Sequence, residues 1–352
     1  MATKRVLVAM SGGIDSLMAA TILKESGHYQ VSAVHLKLFA YNGQEGDIES
    51  LSNACHRQQI PLEVVDLEGE FRRSVIDYFC REYSFGHTPN PCTTCNKEIK
   101  YDFLLDRVLA GDFDYLATGH YARVEYSPDG YRLLKGRDPS KDQSYFLYRL
   151  GQRELEHLIL PLGNLFKSEI ILKARKRGIK VNGKRDSQDI CFIRDNDYRS
   201  FLAGCLPLEE GDIIDTAGNI LGKHRGLPFY TVGQRQKLGV SSGKRLYVLK
   251  IDAPSNRLVV GSKKDLMSYN LTARDITWVR GAPPVGKGNV MARIRYGAEE
   301  ASVSLQDKDN GMEVTFDRAQ SAIAPGQDIV LYRGDELLGG GVIERANREN
   351  EK

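Results

Sequence analysis

Val6-Leu7-Val8-Ala9-Met10-Ser11-Gly12-Gly13-Ile14-Asp15-Ser16 decides how the rest of the chain is read. Its first five residues are an unbroken apolar run, which suits a strand buried on both faces. After the Ser/Gly turn, Leu17 to Ser26 has helical composition and stops at Gly27, a residue suited to a C-cap. Two glycines let the backbone turn tightly and bring N–H groups near an anion, and the helix start adds partial positive charge. Ser11 and Ser16 can donate to phosphate oxygens. Asp15 would repel a bare phosphate and suits a magnesium ion. A Walker A loop needs a Lys that is not here. The bland alternative is a strand-to-helix turn with an N-cap Ser and no ligand. It suits a lone Ser-Gly-Gly better than the full string behind an apolar strand.

Outward from this loop, strands are expected at Val31 to Leu36, Leu62 to Leu67 and Tyr115 to Thr118, and helices at Ile48 to Gln59 and Phe71 to Tyr83. Such alternation means a parallel sheet covered by helices. A hairpin follows, Tyr121 to Tyr126 and Tyr131 to Lys135 around Ser127-Pro128-Asp129-Gly130. Lys167 to Arg177 reads as a helix closed by Gly178, its basic residues forming a solvated face. From Gly211 onward the pattern is short strands between Gly, Asn, Asp and Pro turns. The expected division is 1–204 for the α/β domain, 205–273 for a central mainly-β domain and 274–352 for a second small β domain, with the junction near Thr272 to Ile276.

At 352 residues, two or three domains are expected. No run of about 18 apolar residues occurs, which excludes a membrane span. Met1-Ala2-Thr3-Lys4-Arg5 leads straight into a strand with no apolar signal region, as in a cytosolic protein. The net charge of +3 permits a nucleic-acid partner without demanding one. Six cysteines in such a chain do not form a structural disulfide framework. Cys55 and Cys80 sit in helical patterns as small buried residues. Cys92 and Cys95 differ, because a C-x-x-C in the Pro-rich loop His87-Thr88-Pro89-Asn90-Pro91-Cys92-Thr93-Thr94-Cys95-Asn96 rarely serves packing.

A third thiol follows in Ser187-Gln188-Asp189-Ile190-Cys191-Phe192, with Thr118-Gly119-His120-Tyr121 and Lys141-Asp142-Gln143-Ser144-Tyr145 between. S-G-G-x-D-S is similar to the signature of the PP-loop, or N-type ATP pyrophosphatase, superfamily. Together with P-N-P-x-x-x-C-N, T-G-H-Y, K-D-Q-S-Y and S-Q-D-I-C-F in this order, the chain resembles the tRNA-specific 2-thiouridylases of the wobble uridine. The likeness runs on through Tyr230 to Arg235, Arg295-Tyr296, Ala324 to Gln327 and Gly339 to Gly341.

The resemblance implies a PP-loop parallel-sheet domain, a small central domain and a C-terminal β barrel. Ala9, Met10, Ser11, Gly12, Gly13, Ile14, Asp15 and Ser16 would bind ATP phosphates, with Leu36 and Gly119 contacting the nucleotide and Asp15 holding Mg2+. Cys95 would be the catalytic cysteine, and Cys191 the persulfide carrier that a Cys95–Cys191 disulfide later discharges. Asn90, Pro91 and Cys92 would lie against the target base. His120, Lys141, Asp142, Gln143, Arg295, Tyr296 and Gln327 would contact the tRNA around its anticodon loop. A sulfur-relay protein or a cysteine desulfurase would supply the sulfur.

Cys92 departs from this pattern, since Asp commonly holds its position. One reading keeps the persulfide route; another has Cys92, Cys95 and Cys191 bind a 4Fe–4S cluster; a third is zinc with His87 as a candidate fourth ligand. Without the motif order, His120 reads as a strand-end histidine, Lys141-Asp142-Gln143 as a solvated turn, Arg295-Tyr296 as an alternating strand, and Trp278 as core. More distant alternatives are an amide-forming PP-loop ligase and a non-catalytic RNA-binding protein.

Overall fold

Lys4–Ala9 is the middle strand of a five-stranded sheet ordered Leu62–Asp66, Tyr29–Lys37, Lys4–Ala9, Tyr115–Ala117, Leu158–Ile159. Every pairing in it is parallel. The computed structural model describes residues 3–40, 43–179, 190–193, 197–240, 243, 245–284, 289–309 and 311–347. Val6, Leu7 and Val8 are at most 1% exposed, as a strand covered on both faces requires. The strand starts earlier than its apolar run because Lys4 and Arg5 pair with Tyr29 and Gln30. The following helix, Ile14–Glu25, packs Leu17, Ala20 and Leu23 onto the sheet, and Met18 and Ala19 against Tyr121, Ile170 and Ala174.

The helix expected from Phe71 to Tyr83 begins at Glu68 and passes through a π-helical segment, Arg72–Ile76, before Asp77–Ser84. Phe79 anchors it, with ring centroids 4.9 Å from Tyr83, 5.5 Å from Phe192 and 6.2 Å from Phe201. This cluster pins Phe192, the neighbour of Cys191. A second continuous helix runs through Pro91–Thr94, the π-helical Cys95–Tyr101 and Asp102–Leu109.

The hairpin Ala122–Ser127 and Gly130–Lys135 does not stand alone. Leu133 and Leu134 pair with Leu337 and Glu336 of the last strand in the chain. That strand closes a six-stranded antiparallel barrel of Met267–Trp278, Gly311–Ser321, Ala301–Lys308, Val290–Arg293, Asp328–Arg333 and Glu336–Asn347, in which first and last strands pair. Closure leaves no free edge within the barrel. Leu271, Val314, Phe316, Ile329 and Leu331 fill it, and Trp278 packs against them. Position 273/274, the expected junction, lies inside the strand Met267–Trp278, which pairs with barrel strands. Between the two domains, Tyr247–Asp252, Arg257–Gly261, Gly211–Ile214 and Ile220–His224 form a four-stranded sheet over Ile213, Val248, Leu258 and Val260. Among the described residues no helix is long and apolar enough to cross a membrane.

Phe79 is fully buried and holds together the aromatic cluster beside Cys191. Phe79→Ala is expected to cost about 3–5 kcal/mol in urea unfolding.

Candidate active site

The Ser/Gly loop is closed by its own side chains. Ser16 Oγ accepts from the Ser11 N–H at 3.1 Å and donates to the Gly13 carbonyl at 3.0 Å, and the two hydroxyls lie 3.2 Å apart. Gly12 has φ of 77°, a conformation that favours glycine. Gly13 is the N-cap of Ile14–Glu25 and supplies no side-chain cap, leaving the helix start open to an anion. Ala9 and Met10 lead into the loop; the Met10 carbonyl faces His35 Nδ1 at 2.8 Å, and Leu36 is half-buried at the end of the neighbouring strand.

Asp15 is strongly held. Lys167 Nζ donates to both carboxylate oxygens at 2.8 and 2.7 Å, and the Tyr121 hydroxyl donates to one of them at 2.8 Å. Lys167 opens the helix Lys167–Lys176 and its side chain is 14% exposed. The carboxylate suited on paper to magnesium therefore already carries a positive partner. Sequence reasoning passed over Lys167 because it begins a run of basic residues that reads as a solvated face.

Gly119 joins the nucleotide loop to the rest of the site. A Cβ there would stand 2.8 Å from the Ser16 nitrogen and 2.9 Å from the Asp15 carbonyl carbon, so only glycine lets the two segments touch. Beside it, His120 Nδ1 lies 2.8 Å from Thr118 Oγ1 and 3.2 Å from the Tyr101 hydroxyl. Tyr101 ends the π-helical segment that starts at Cys95. Burial pushes His120 down to about 3, with the Lys100 charge acting in the same direction, so the imidazole is neutral at neutral pH. It can offer a hydrogen bond, but it is not a cation for phosphate.

Toward the other end of this bridge stand thiols close enough for their charges to influence one another. Asn90 Oδ1 caps the Pro91–Thr94 turn by accepting from the Cys92 N–H at 3.2 Å, with Pro91 at the first helical position. Burial pushes Cys92 up to about 12, and the nearby Cys191 and Cys95 add to the shift. Cys95 is 6% exposed and also raised by burial. Cys191 keeps surface in solvent, yet the protein packed around its sulfur pushes it up to about 11, with Cys95 adding to the rise. Lys100 opposes all three shifts. It stands five residues after Cys95 in the π-helix, a spacing that shares a face there, and donates to Asn96 Oδ1 at 3.0 Å.

Neither metal reading finds a formed ligand set. Among the described residues no three His, Cys, Asp or Glu side chains are grouped to hold a metal ion. His87, the candidate fourth zinc ligand, has Nδ1 2.8 Å from Glu82 Oε2. In this arrangement the trio does not fit a cluster. Asp186 to Asp189 of the last cysteine motif lie outside the described residues.

The residues expected at the tRNA divide. Arg295 is exposed, whereas Tyr296 donates to the Asp142 carbonyl at 3.0 Å and packs on Phe146 with centroids 4.5 Å apart. Asp142 is 4% exposed and accepts from the Gly136 and Ser144 N–H groups at 3.0 and 3.1 Å, so its carboxylate holds the turn. Lys141 and Gln143 flank it, and Gln143 Oε1 accepts from the Tyr121 N–H at 3.0 Å. Gln327 Nε2 donates to the Thr88 carbonyl at 2.7 Å, and the Thr88 N–H donates to the Pro325 carbonyl at 2.7 Å. The barrel turn thus lies on the thiol loop. Next in sequence, Asp328 is 2% exposed, and burial lifts it to about 6 against the pull of Tyr148, Thr93 and Asn90.

A parallel sheet with a Ser/Gly loop at its central strand, followed by two β domains, defines a PP-loop enzyme with appended domains. Comparison with known proteins agrees: the profile described as the tRNA methyl transferase HUP domain matches residues 4–195, the tRNA methyl transferase PRC-barrel domain 199–262, and the aminomethyltransferase beta-barrel domain 268–343. The tRNA-specific 2-thiouridylase MnmA of Syntrophomonas wolfei subsp. wolfei is 45% identical over 345 residues, 96% of this chain and 99% of that one. The namesakes from Chlorobium phaeobacteroides and Acetivibrio thermocellus are 42% and 41% identical, each over 98% of this chain and 99% and 100% of theirs. This chain belongs to the tRNA-specific 2-thiouridylase family. Among solved structures, the U34-tRNA thiolase NcsA from Methanococcus maripaludis with its [4Fe-4S] cluster is similar over 57% of this chain and 64% of that one, at 18% identity and a TM-score of 0.37, too low to bear on the site.

Because His120 is depressed from 6.5 to about 3, its neutral form favours the folded state. That stability is fully present above pH 6.5 and is lost progressively as pH falls toward 3. Thermal unfolding should therefore show the parent losing ground to His120→Gln between about pH 7 and about pH 5. Parallel curves would place the imidazole in solvent.

Proposed function

We propose that this chain carries out ATP-dependent 2-thiolation of the wobble uridine of tRNA in the cytoplasm. The observation that carries the proposal is the bridge Ser16–Gly119–His120–Tyr101, which links the Ser/Gly loop to the helix bearing Cys92 and Cys95, two thiols whose charges are felt together with that of Cys191. An amide-forming ligase has no use for that trio, and a passive RNA-binding protein has no use for the loop.

The chemistry follows from the weakness of the uracil C2 carbonyl as an electrophile. Residues Ala9 to Ser16, with Leu36 and Gly119, hold ATP so that the C2 oxygen attacks the α-phosphorus and pyrophosphate leaves. The oxygen is now part of an AMP leaving group. The terminal sulfur of a Cys191 persulfide adds at C2 and AMP departs. Cys95 then displaces that sulfur from Cys191, forming a Cys95–Cys191 disulfide that an external thiol later reduces. Asn90, Pro91 and Cys92 lie against the extruded base, which leaves a loop more cheaply than a duplex. His120, Lys141, Asp142, Gln143, Arg295, Tyr296 and Gln327 form the tRNA surface, Asp142 through the turn it holds. A sulfur-relay protein or a cysteine desulfurase loads Cys191. A magnesium ion, if bound, would be held by Asp15 and would offset phosphate charge.

Lys167 supplies the charge that a Walker lysine supplies in other loops, resting on Asp15 until phosphates compete for it. A charge-assisted hydrogen bond is worth about 1.5–3 kcal/mol, so Lys167→Met should raise KM for ATP roughly tenfold to a hundredfold, with tRNA binding intact. Asp15→Ala should abolish thiolation and also leave tRNA binding intact. An unchanged KM for ATP in the lysine variant would remove Lys167 from the nucleotide site.

Cys191→Ser separates the two halves of the reaction. With tRNA, ATP, magnesium and a sulfur donor, mass spectrometry should find no 2-thiouridine, while adenylation remains measurable. Normal thiolation by this variant would refute the role of Cys191.

A further inference from the structure

Asp328 is the first residue of the barrel strand Asp328–Arg333, yet its carboxylate is spent on the thiol loop more than 230 positions earlier. Asn90 Nδ2 donates to Oδ2 at 2.9 Å, Thr93 Oγ1 approaches the same oxygen at 3.0 Å, and the Tyr148 hydroxyl donates to Oδ1 at 2.9 Å. The Tyr145 hydroxyl donates to the Asp328 carbonyl at 2.8 Å. Asn90 and Thr93 belong to the turn that places Cys92 and Cys95. Asn90 has its amide fixed at both ends, because its oxygen caps Cys92 while its nitrogen meets Asp328. Thr93 has one hydroxyl hydrogen and two acceptors at 3.0 Å, the Asn90 carbonyl and Asp328 Oδ2. The barrel turn makes the grip close: a Cβ on Gly326 would stand 2.9 Å from His87 Cβ.

We propose that Asp328 is a positioning residue for sulfur transfer, through which the C-terminal barrel fixes the Cys92–Cys95 turn. The barrel is then part of the chemical machinery as well as a surface for RNA. The inference rests on the thiolase reading given above and adds a residue that acts through Asn90 and Thr93 without touching substrate.

The hydrogen-bond geometry dictates how variants should behave. Asp328→Ala removes the acceptor for all three donors. Asp328→Asn keeps one oxygen for Asn90 and Thr93, and its new amide can donate to the Tyr148 oxygen. Asn90→Asp sets two carboxylates about one hydrogen bond apart, where they repel. Adding Asp328→Asn to it restores a donor–acceptor pair. The carboxylate introduced at position 90 can still cap Cys92, and the Thr93 hydroxyl can turn to accept from the new amide.

The test is steady-state thiolation with tRNA, ATP, magnesium and a desulfurase with cysteine as sulfur source, following AMP and 2-thiouridine together. A misplaced reacting group costs up to about a hundredfold, so Asp328→Ala should lower kcat roughly tenfold to a hundredfold. KM for tRNA and ATP should stay near the parent values, and Asp328→Asn should stay within about threefold of the parent kcat. Asn90→Asp should be impaired, and the Asn90→Asp/Asp328→Asn pair should recover most of the loss. A parental kcat in Asp328→Ala, or a double variant no better than Asn90→Asp alone, overturns the proposal. Alkylation of the protein alone by iodoacetamide separates this failure from failure of the thiolase reading. Asp328→Ala should expose Cys95 to faster labelling whether or not the parent thiolates tRNA, and an unchanged labelling rate also overturns the proposal.

Discussion

The contact on which the active site depends is the backbone pairing of Thr88 with Pro325, where a barrel turn lies flat against the loop that carries the thiols. It works because Gly326, at φ of 87°, brings main chain to main chain with no side chain between. Gln327 and Asp328 then enter on either side and take up the polar groups of Thr88, Asn90 and Thr93. Buried polar groups are expensive when unpaired, so each partner fixes the other. The loop has no regular ladder of its own, and its rigidity is borrowed from a closed barrel.

Electrostatics divides the site into two unlike halves. At the nucleotide end, Asp15 and Lys167 cancel, leaving a neutral pair at a helix start already inclined to anions. At the thiol end, burial keeps all three sulfurs protonated at rest, and Lys100 is the cation whose influence reaches each of them. A buried thiol such as Cys95 is inert, whereas Cys191 keeps surface in solvent. The neutral His120 between the halves separates the two cations without adding a third charge.

The parallel sheet, the loop and the two β domains were legible because each has a local signature: apolar runs, Ser/Gly turns, and short alternating strands; the closed barrel came from the family resemblance. What stayed hidden is non-local or breaks the usual periods. Lys100 falls beside Cys95 only because the helix there is π-wound, and an α-helical reading separates them. Lys167 lies 152 residues from the carboxylate it neutralises and looks like any surface lysine. The hairpin after Tyr121 reads as an appendage of the first domain, but its second strand pairs with the last strand of the chain. The expected division at 273/274 falls inside the strand Met267–Trp278, whose pairing with the last strand of the chain has no local signature. Asp142 has the look of a ligand-contacting residue in a polar motif, yet its oxygens face inward to N–H groups.

These non-local links bear on why the three domains travel together. The Ser/Gly loop is closed by Ser11, Gly13 and Ser16, and its supports Tyr121 and Lys167 belong to the same sheet domain. The thiol turn is different: its caps and partners come from Asn90 at one end and from the barrel at the other. Removing the barrel would leave the Ser/Gly loop its own hydrogen bonds and strip the thiol turn of Asp328, Gln327 and the Pro325 carbonyl. The barrel also completes the hydrophobic core beneath the site, where Tyr148 lies against Gly340 so closely that a Cβ there would stand 2.8 Å from its ring. The Ser/Gly loop and the thiol turn thus draw their polar partners from different parts of the chain, and those of the thiol turn are complete once the barrel has closed over the first domain.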